Sequence, residues 1–229
     1  MNPPEHSPRD LTDRVFRKTL ENVHNLDEFL QEALPEHAAA LDCAKARLLP
    51  REFVAGDWRG READLLYEIP YRMSGGTGTV LVCVLVEHQT RTDVLMPFRT
   101  LYLTVAFWDR QWREWQQLPT PRPELRFMPV VPLVLYTGPT VWGSTRRMTQ
   151  LLAEPAAFHA FAPDVEPLFW NLAEHTPEEL LDRGDGWRNL LAVIRSERAE
   201  ETDFRRVAIE AVRRLDALYG KDRPRWQEK

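Results

Sequence analysis

The chain has 229 residues, of which 43% are hydrophobic and 28% charged, with a formal net charge of −5. This is ordinary globular composition, sufficient for one substantial domain or one domain with a helical appendage. The net acidity excludes a molecule that holds nucleic acid by overall charge, so any DNA contact must come from a local basic patch or from bound metal ions. The two cysteines, Cys43 and Cys83, have neither metal-site spacing nor a disulfide framework. Cys83, inside a run of Val and Leu, reads as a small buried hydrophobe. The opening MNPPEHSPRD lacks the layout of a signal peptide, and no apolar run approaches the ~20 residues needed to cross a bilayer. The cytoplasm is the expected compartment, and no membrane partner is expected.

Residues 1–10 are polar and Pro-containing and are expected to be a flexible N-terminus. From Leu11 a helical spacing begins (Leu11, Val15, Phe16, Leu20), and Asn25 is a candidate cap for a second helix that carries Leu26, Phe29, Leu30 and Ala33 up to Pro35. Residues 36–48 are predicted as another short amphipathic helix. Arg51 to Ala55 is a candidate first strand, and 62–71 and 79–89 are two strands flanking the loop RMSGGTG. The second is so rich in Val and Leu that both its faces should be covered.

Residues 93–117 are predicted as one long helix capped by Thr92 or Asp93, with an apolar stripe of Phe98, Leu101, Tyr102, Val105, Trp108, Trp112 and Trp115. A Pro-rich connector, LPTPRPELRF, leads to a strand over 128–136, whose Pro132 suggests an edge or a bulge. Residues 145–160 and 177–219 are helical in pattern; Thr176-Pro177 followed by two Glu is a strong start, and Gly184 and Gly186 are breaks. The predicted fold class is α/β, with a core over 11–142 and a mostly helical C-terminal extension over 143–229 packed on it.

The chemistry concentrates on the hairpin. If the loop folds about Gly75-Gly76, positions whose numbers sum to 151 are opposed: Asp64 with Glu87, and Glu62 with Gln89. Opposed residues share a face with Cβ atoms ~5 Å apart, and a two-residue slip would preserve that face while a one-residue slip would not. Two facing carboxylates repel unless one is protonated or a cation lies between them. Oxygens of Asp64 and Glu87 suit Mg²⁺, or the hard ions Mn²⁺ and Ca²⁺, and such an ion can activate water and neutralise charge on a phosphodiester. Gln89, on the same side, is placed to orient the water. The competing reading is a pair of acids on a solvated strand face, and spacing alone leaves both open.

Asp13 and Glu21 on the first helix are candidate auxiliary acids, although a solvated helix face is the ordinary role of such residues. The remaining histidines have no ligand partner at helical spacing. Trp108, Trp112 and Trp115 fit core or a partner interface better than base stacking. Arg146-Arg147, Arg205-Arg206 and Arg213-Arg214 are phosphate-contact candidates, but interleaved with Glu they read as ordinary charged surface. GGTG lacks the Lys-Ser/Thr of a P-loop.

DLLYEI (64–69), VLVEHQT (84–90), LMPFR (95–99) and VVPLVLYTGP (130–139) with Trp142, preceded by TDRVFRK (12–18) and LDEFLQEALP (26–35), resemble in order the Rpn family of recombination-promoting nucleases of the YhgA-like, transposase-associated type. The resemblance covers roughly residues 12–142. It implies a PD-(D/E)XK, restriction-endonuclease-like core, a mixed sheet flanked by helices, with Asp64 as first acid, Glu87 as second and Gln89 in the lysine's place. It further implies that the His88 backbone carbonyl joins Asp64 and Glu87 on the metal, and that the partner is DNA, with a homodimer as a candidate assembly. Thr12 and Thr137 stand where that family often has His, or His or Asn, and the neutral Gln89 is usual for it. The implied function is a metal-dependent DNA endonuclease linked to recombination. The alternative is a catalytically degenerate nuclease-like module that binds DNA or protein. A transposase proper would need a DDE-type triad, which the sequence does not display.

Overall fold

A computed structural model describes residues 17–50, 65–73, 75–87, 92–154, 156–183 and 186–219. Five strands form one mixed sheet in the order β1-β2-β3-β4-β5: β1 (Arg47–Leu49), β2 (Leu65–Met73), β3 (Gly76–Glu87), β4 (Val130–Tyr136) and β5 (Leu168–Asn171). β1, β2 and β3 pair antiparallel, and β3, β4 and β5 pair parallel. Parallel neighbours need a crossover, and between β3 and β4 it is supplied by helix α2 (Met96–Gln116), with helix α1 (Val23–Ala33) earlier in the chain. Helices α3 (Pro177–Asp182), α4 (Gly186–Arg195) and α5 (Glu201–Tyr219) follow β5. Among the described residues no helix is long and apolar enough to cross a membrane.

Strand alternation divides the apolar residues between two cores. Leu65, Tyr67, Ile69, Val80, Val82, Val84, Leu133 and Leu135 pack with Leu26, Phe29 and Leu30 of α1 and with side chains of α3, α4 and α5. Leu49, Leu66, Leu81, Val134 and Tyr136 face Met96, Leu103 and Phe107 of α2. The sheet is thus covered on both faces, as the Val/Leu run of β3 predicts. The C-terminal region is part of this arrangement: β5 joins the sheet, and Trp187, Leu191, Val207 and Ala211 lie in the α1 core.

The structure corrects several expectations. Residues 36–48 form two 3₁₀ turns (Ala38–Ala40 and Cys43–Lys45) and then β1 rather than one amphipathic helix; three consecutive alanines offer too little apolar surface to anchor one. The candidate strand Arg51–Ala55 and the helix start at Leu11 lie outside the described residues, as does the side chain of Cys83. Residues 145–160 hold 3₁₀ turns at Met148–Leu151 and Ala156–Phe161, and β5 is an additional strand. Pro132 is in an interior strand. The Leu81 N–H donates to the Pro129 carbonyl, so alternation turns the Pro132 nitrogen away from β3, and β5 pairs only from Leu133 onward. The missing donor therefore faces no partner strand.

The buried face of α2 is Met96, Pro97, Thr100, Leu103, Thr104 and Phe107, not the predicted aromatic stripe, of which Val105 and Trp112 are exposed. Thr100 and Thr104 donate their hydroxyls to the carbonyls of Pro97 and Thr100, so both enter the core as small satisfied groups that a hydrophobic pattern overlooks. Trp108 and Trp115 instead tie down the Pro-rich connector, donating to the carbonyls of Met128 and Pro123, each at 2.8 Å. Asp93 accepts from the Leu95 N–H ahead of the helix, with Pro97 in the first turn. Thr176 and Glu179 form a reciprocal capping box on α3, and α4 begins at Gly186, one of the predicted breaks.

One carboxylate joins α1 to the C-terminal half. Glu32 accepts from Trp170 Nε1 at 3.1 Å and from Arg188 Nη2 at 2.6 Å, and pairs with Arg183 at 3.2 Å. Phe29 packs edge-on against Trp170 and Trp187 beside it, and Arg188 lies over the Trp187 ring. Burial pushes the Glu32 carboxyl up, but hydrogen bonds from Arg188 and Trp170 and the charges of Arg188 and Arg183 outweigh it and hold it below the usual range. A depressed carboxyl contributes stability that is present above its unfolded pKa of ~4.3 and is lost as pH falls through the folded value. Glu32→Ala, which removes the carboxylate that accepts from Arg188 and Trp170, should therefore cost about 1–3 kcal/mol in urea unfolding at neutral pH. The deficit should shrink below pH ~4; an equal deficit at both pH values would contradict this role.

Candidate active site

The parallel pairing brings three strand ends to one level. Glu87, the last residue of β3, is the register partner of Tyr136, the last of β4, and Tyr136 is the partner of Asn171, the last of β5. Neighbouring strands lie ~4.8 Å apart, so these positions span roughly 10 Å of one edge. In open α/β sheets, ligands bind beyond such carboxyl ends of parallel strands.

The chain leaving β4 is fixed against this edge. Asn171 is buried, and its Oδ1 accepts from the Trp142 N–H at 2.9 Å, returning the loop after Thr137 to the end of β5. Trp142 then packs edge-on against Tyr136, centroids 5.0 Å apart, and against Phe169 at 4.8 Å. A Cβ at Gly138 would overlap the ring and hydroxyl of Tyr136, so the YTG run requires glycine through close approach. Thr137, between them, is buried.

The hairpin has the antiparallel form expected, in a different register. Opposed positions sum to 149, from Leu65 with Val84 to Met73 with Gly76, two short of the predicted 151. Gly76, with φ +140°, closes the ladder instead of sitting at the centre of the turn, and this moves the turn one residue toward the N-terminus. The predicted direct opposition of Asp64 and Glu87 depended on the other register. Asp64, Glu62, His88, Gln89 and Asp13 lie outside the described residues, as does the side chain of Glu87. Among the described residues no group of three His, Cys, Asp or Glu is arranged to hold a metal ion.

Glu21 is exposed and paired with Lys18 at 2.9 Å. Its neighbour Leu20 accepts from the Tyr67 hydroxyl at 2.7 Å, and Tyr67 is the partner of Val82, five residues before Glu87. Burial, then the Glu21 charge, raises the Tyr67 phenol, which stays a neutral donor. Burial also pushes the Cys43 thiol up to about 12, reinforced by Asp27, leaving it an inert core group.

The sequence marks Asn171 only weakly, because β5 is four residues long and its signal is the apolar run Leu168-Phe169-Trp170. Asn171→Ala should leave the Trp142 N–H unsatisfied and cost about 1–3 kcal/mol of stability. Indole fluorescence of Trp142 should shift with it, and an unchanged spectrum and melting curve would refute the anchoring role.

Residues 11–223 match the profile of the family described as "Putative transposase, YhgA-like". The chain is 26% identical over 127 residues to recombination-promoting nuclease RpnD of Escherichia coli O157:H7, covering 55% of this chain and 45% of that protein. It is 28% identical over 140 residues to RpnC of Escherichia coli strain K12, covering 60% and 41%. The chain thus spans less than half the length of these curated relatives. No solved structure matches. The matched profile extends past the strand edge and through α3, α4 and α5, and the chain belongs to the YhgA-like transposase family, with recombination-promoting nucleases among its relatives.

Proposed function

We propose that the chain is a Mg²⁺-dependent DNA endonuclease with a PD-(D/E)XK-type site at the carboxyl edge of its parallel strands. The observation that carries this reading is the position of Glu87, level with Tyr136 and Asn171 at that edge, in a family whose relatives are named nucleases. β2 begins at Leu65, directly after Asp64. The shift of register is even, so a ladder continued beyond Leu65 would keep Asp64 on the Glu87 face as a diagonal neighbour ~7–8 Å away, with Glu62 directly opposite.

The donors Asp64, Glu87 and the His88 carbonyl are all oxygen, which suits a hard cation that keeps several waters and binds phosphate. Mg²⁺, when bound there, supplies positive charge that favours ionisation of water and offsets charge on the phosphodiester. Asp64 and Glu87 would hold it, and Glu62 stands as the nearest auxiliary acid. Gln89 would accept a hydrogen bond from the attacking water and aim its oxygen at phosphorus while the bond to the leaving strand end breaks. A neutral amide orients that water but adds no charge of its own, unlike lysine.

A second reading, a degenerate module that binds DNA or protein without cutting, draws on Thr137. It is buried at the exit of β4 and gives that point no group that titrates near neutral pH. Nicking of supercoiled plasmid in Mg²⁺ or Mn²⁺ separates the two. The wild type should nick in the presence of metal and stop in EDTA, with Asp64→Ala and Glu87→Ala each slower by about 100-fold or more. Wild-type nicking no faster than that of the two variants would favour the degenerate module.

A further inference from the structure

A cleft of ≈ 80 Å³ opens beside the same edge, walled by Thr137, Gly138 and Pro139 after β4 and by Arg195, Glu197 and Arg198 at the end of α4 and beyond, with Leu172 and Ile194 also in its lining. The first wall is the chain immediately after Tyr136, the register partner of Glu87, so it begins roughly 6 Å from Glu87, one strand spacing across and one residue along. The second wall is the end of α4 and the turn that follows. Arg195 is aimed by one bond, from its Nε to the His175 carbonyl at 3.1 Å. Arg198 is exposed and makes no hydrogen bond or ion pair among the described residues.

The arginine pairs conspicuous in the sequence differ from these. Arg147 is bound to Asp164 and Glu166, Arg205 to Glu201, Arg206 to Glu178, and Arg214 to Glu210. Each is neutralised by a neighbouring acid. The cleft is lined by two arginines and one glutamate, Glu197, leaving an excess positive charge in a concave site on a net-acidic molecule. Guanidinium forks suit the oxygens of a phosphodiester.

We infer that this cleft binds a backbone phosphate of the DNA strand, offset from the position cut near Glu87. The inference rests on the endonuclease reading. The contact would set the register of the duplex on the edge without reading its sequence.

The test is fluorescence anisotropy of a short labelled duplex in EDTA, titrated at several salt concentrations, with inorganic phosphate as a competitor. Arg198→Gln should weaken binding several-fold and reduce the slope of log K against log salt by about one. Glu197→Gln, which removes the opposing charge, should tighten binding. Arg126→Gln, an exposed change before the opposite end of β4, should do neither. An unchanged affinity and slope for Arg198→Gln, or an equal loss in Arg126→Gln, overturns the cleft assignment while leaving the endonuclease reading intact. Millimolar inorganic phosphate that binds the wild type but not Arg198→Gln, without displacing the duplex from either, would make it a site for free phosphate, and also overturns it. Failure of the wild type to bind any duplex in EDTA would overturn the cleft assignment, and failure to bind in Ca²⁺ as well would remove the endonuclease reading with it.

Discussion

Parallel strands cannot be joined by a tight turn, and this constraint organises the molecule. The chain must leave the end of β3, cross one face of the sheet as α2, and re-enter so that β4 runs beside β3 in the same direction. The return to β5 repeats the requirement. Each crossover delivers the carboxyl end of a strand to the same edge, so Glu87, Tyr136 and Asn171 come level although they are far apart in sequence. The antiparallel hairpin contributes differently, because β2 enters the sheet at the edge where β3 leaves it. The first residues of β2 and the last of β3 are therefore placed at one end of the sheet by pairing alone.

Covering both faces of the sheet is what holds that edge in place. α2 lies on one face through threonines whose hydroxyls are satisfied within the helix, and α1 lies on the other with α4 and α5. Glu32 joins the second layer to β5 by accepting from Trp170, and to the C-terminal helices through Arg183 and Arg188. Beside it Trp170 stacks on His175, whose carbonyl aims Arg195 toward the cleft. The contacts that stabilise the C-terminal region therefore also position its basic residues beside the strand edge.

The sequence reveals this in proportion to how local each cause is. The Val/Leu run of β3, the hairpin and the capping box at Thr176 depend on near neighbours and are visible as patterns. The family strings that contain Glu87 and Tyr136 fall at strand ends that the structure brings level. The register of the hairpin was set by which glycine takes φ +140°, a choice between Gly75 and Gly76 that composition cannot make. α2 has one aromatic side and one side of mixed Thr, Leu and Phe, and only the sheet decides which is buried. Asn171 and the arginines of the cleft acquire their meaning from a crossover partner distant in the chain. No local spacing encodes that.

The proposed endonuclease reading joins family membership, the level strand ends and the basic cleft beside them, and takes Asp64 and Glu87 as the metal ligands. The most direct measurement is anomalous diffraction from crystals soaked in Mn²⁺. The account predicts a peak about 2.0–2.2 Å from carboxylate oxygens of both Asp64 and Glu87, beside the end of β4. Asp64 and Glu87 carboxylates too far apart to share one ion, with no peak at that edge, would contradict it.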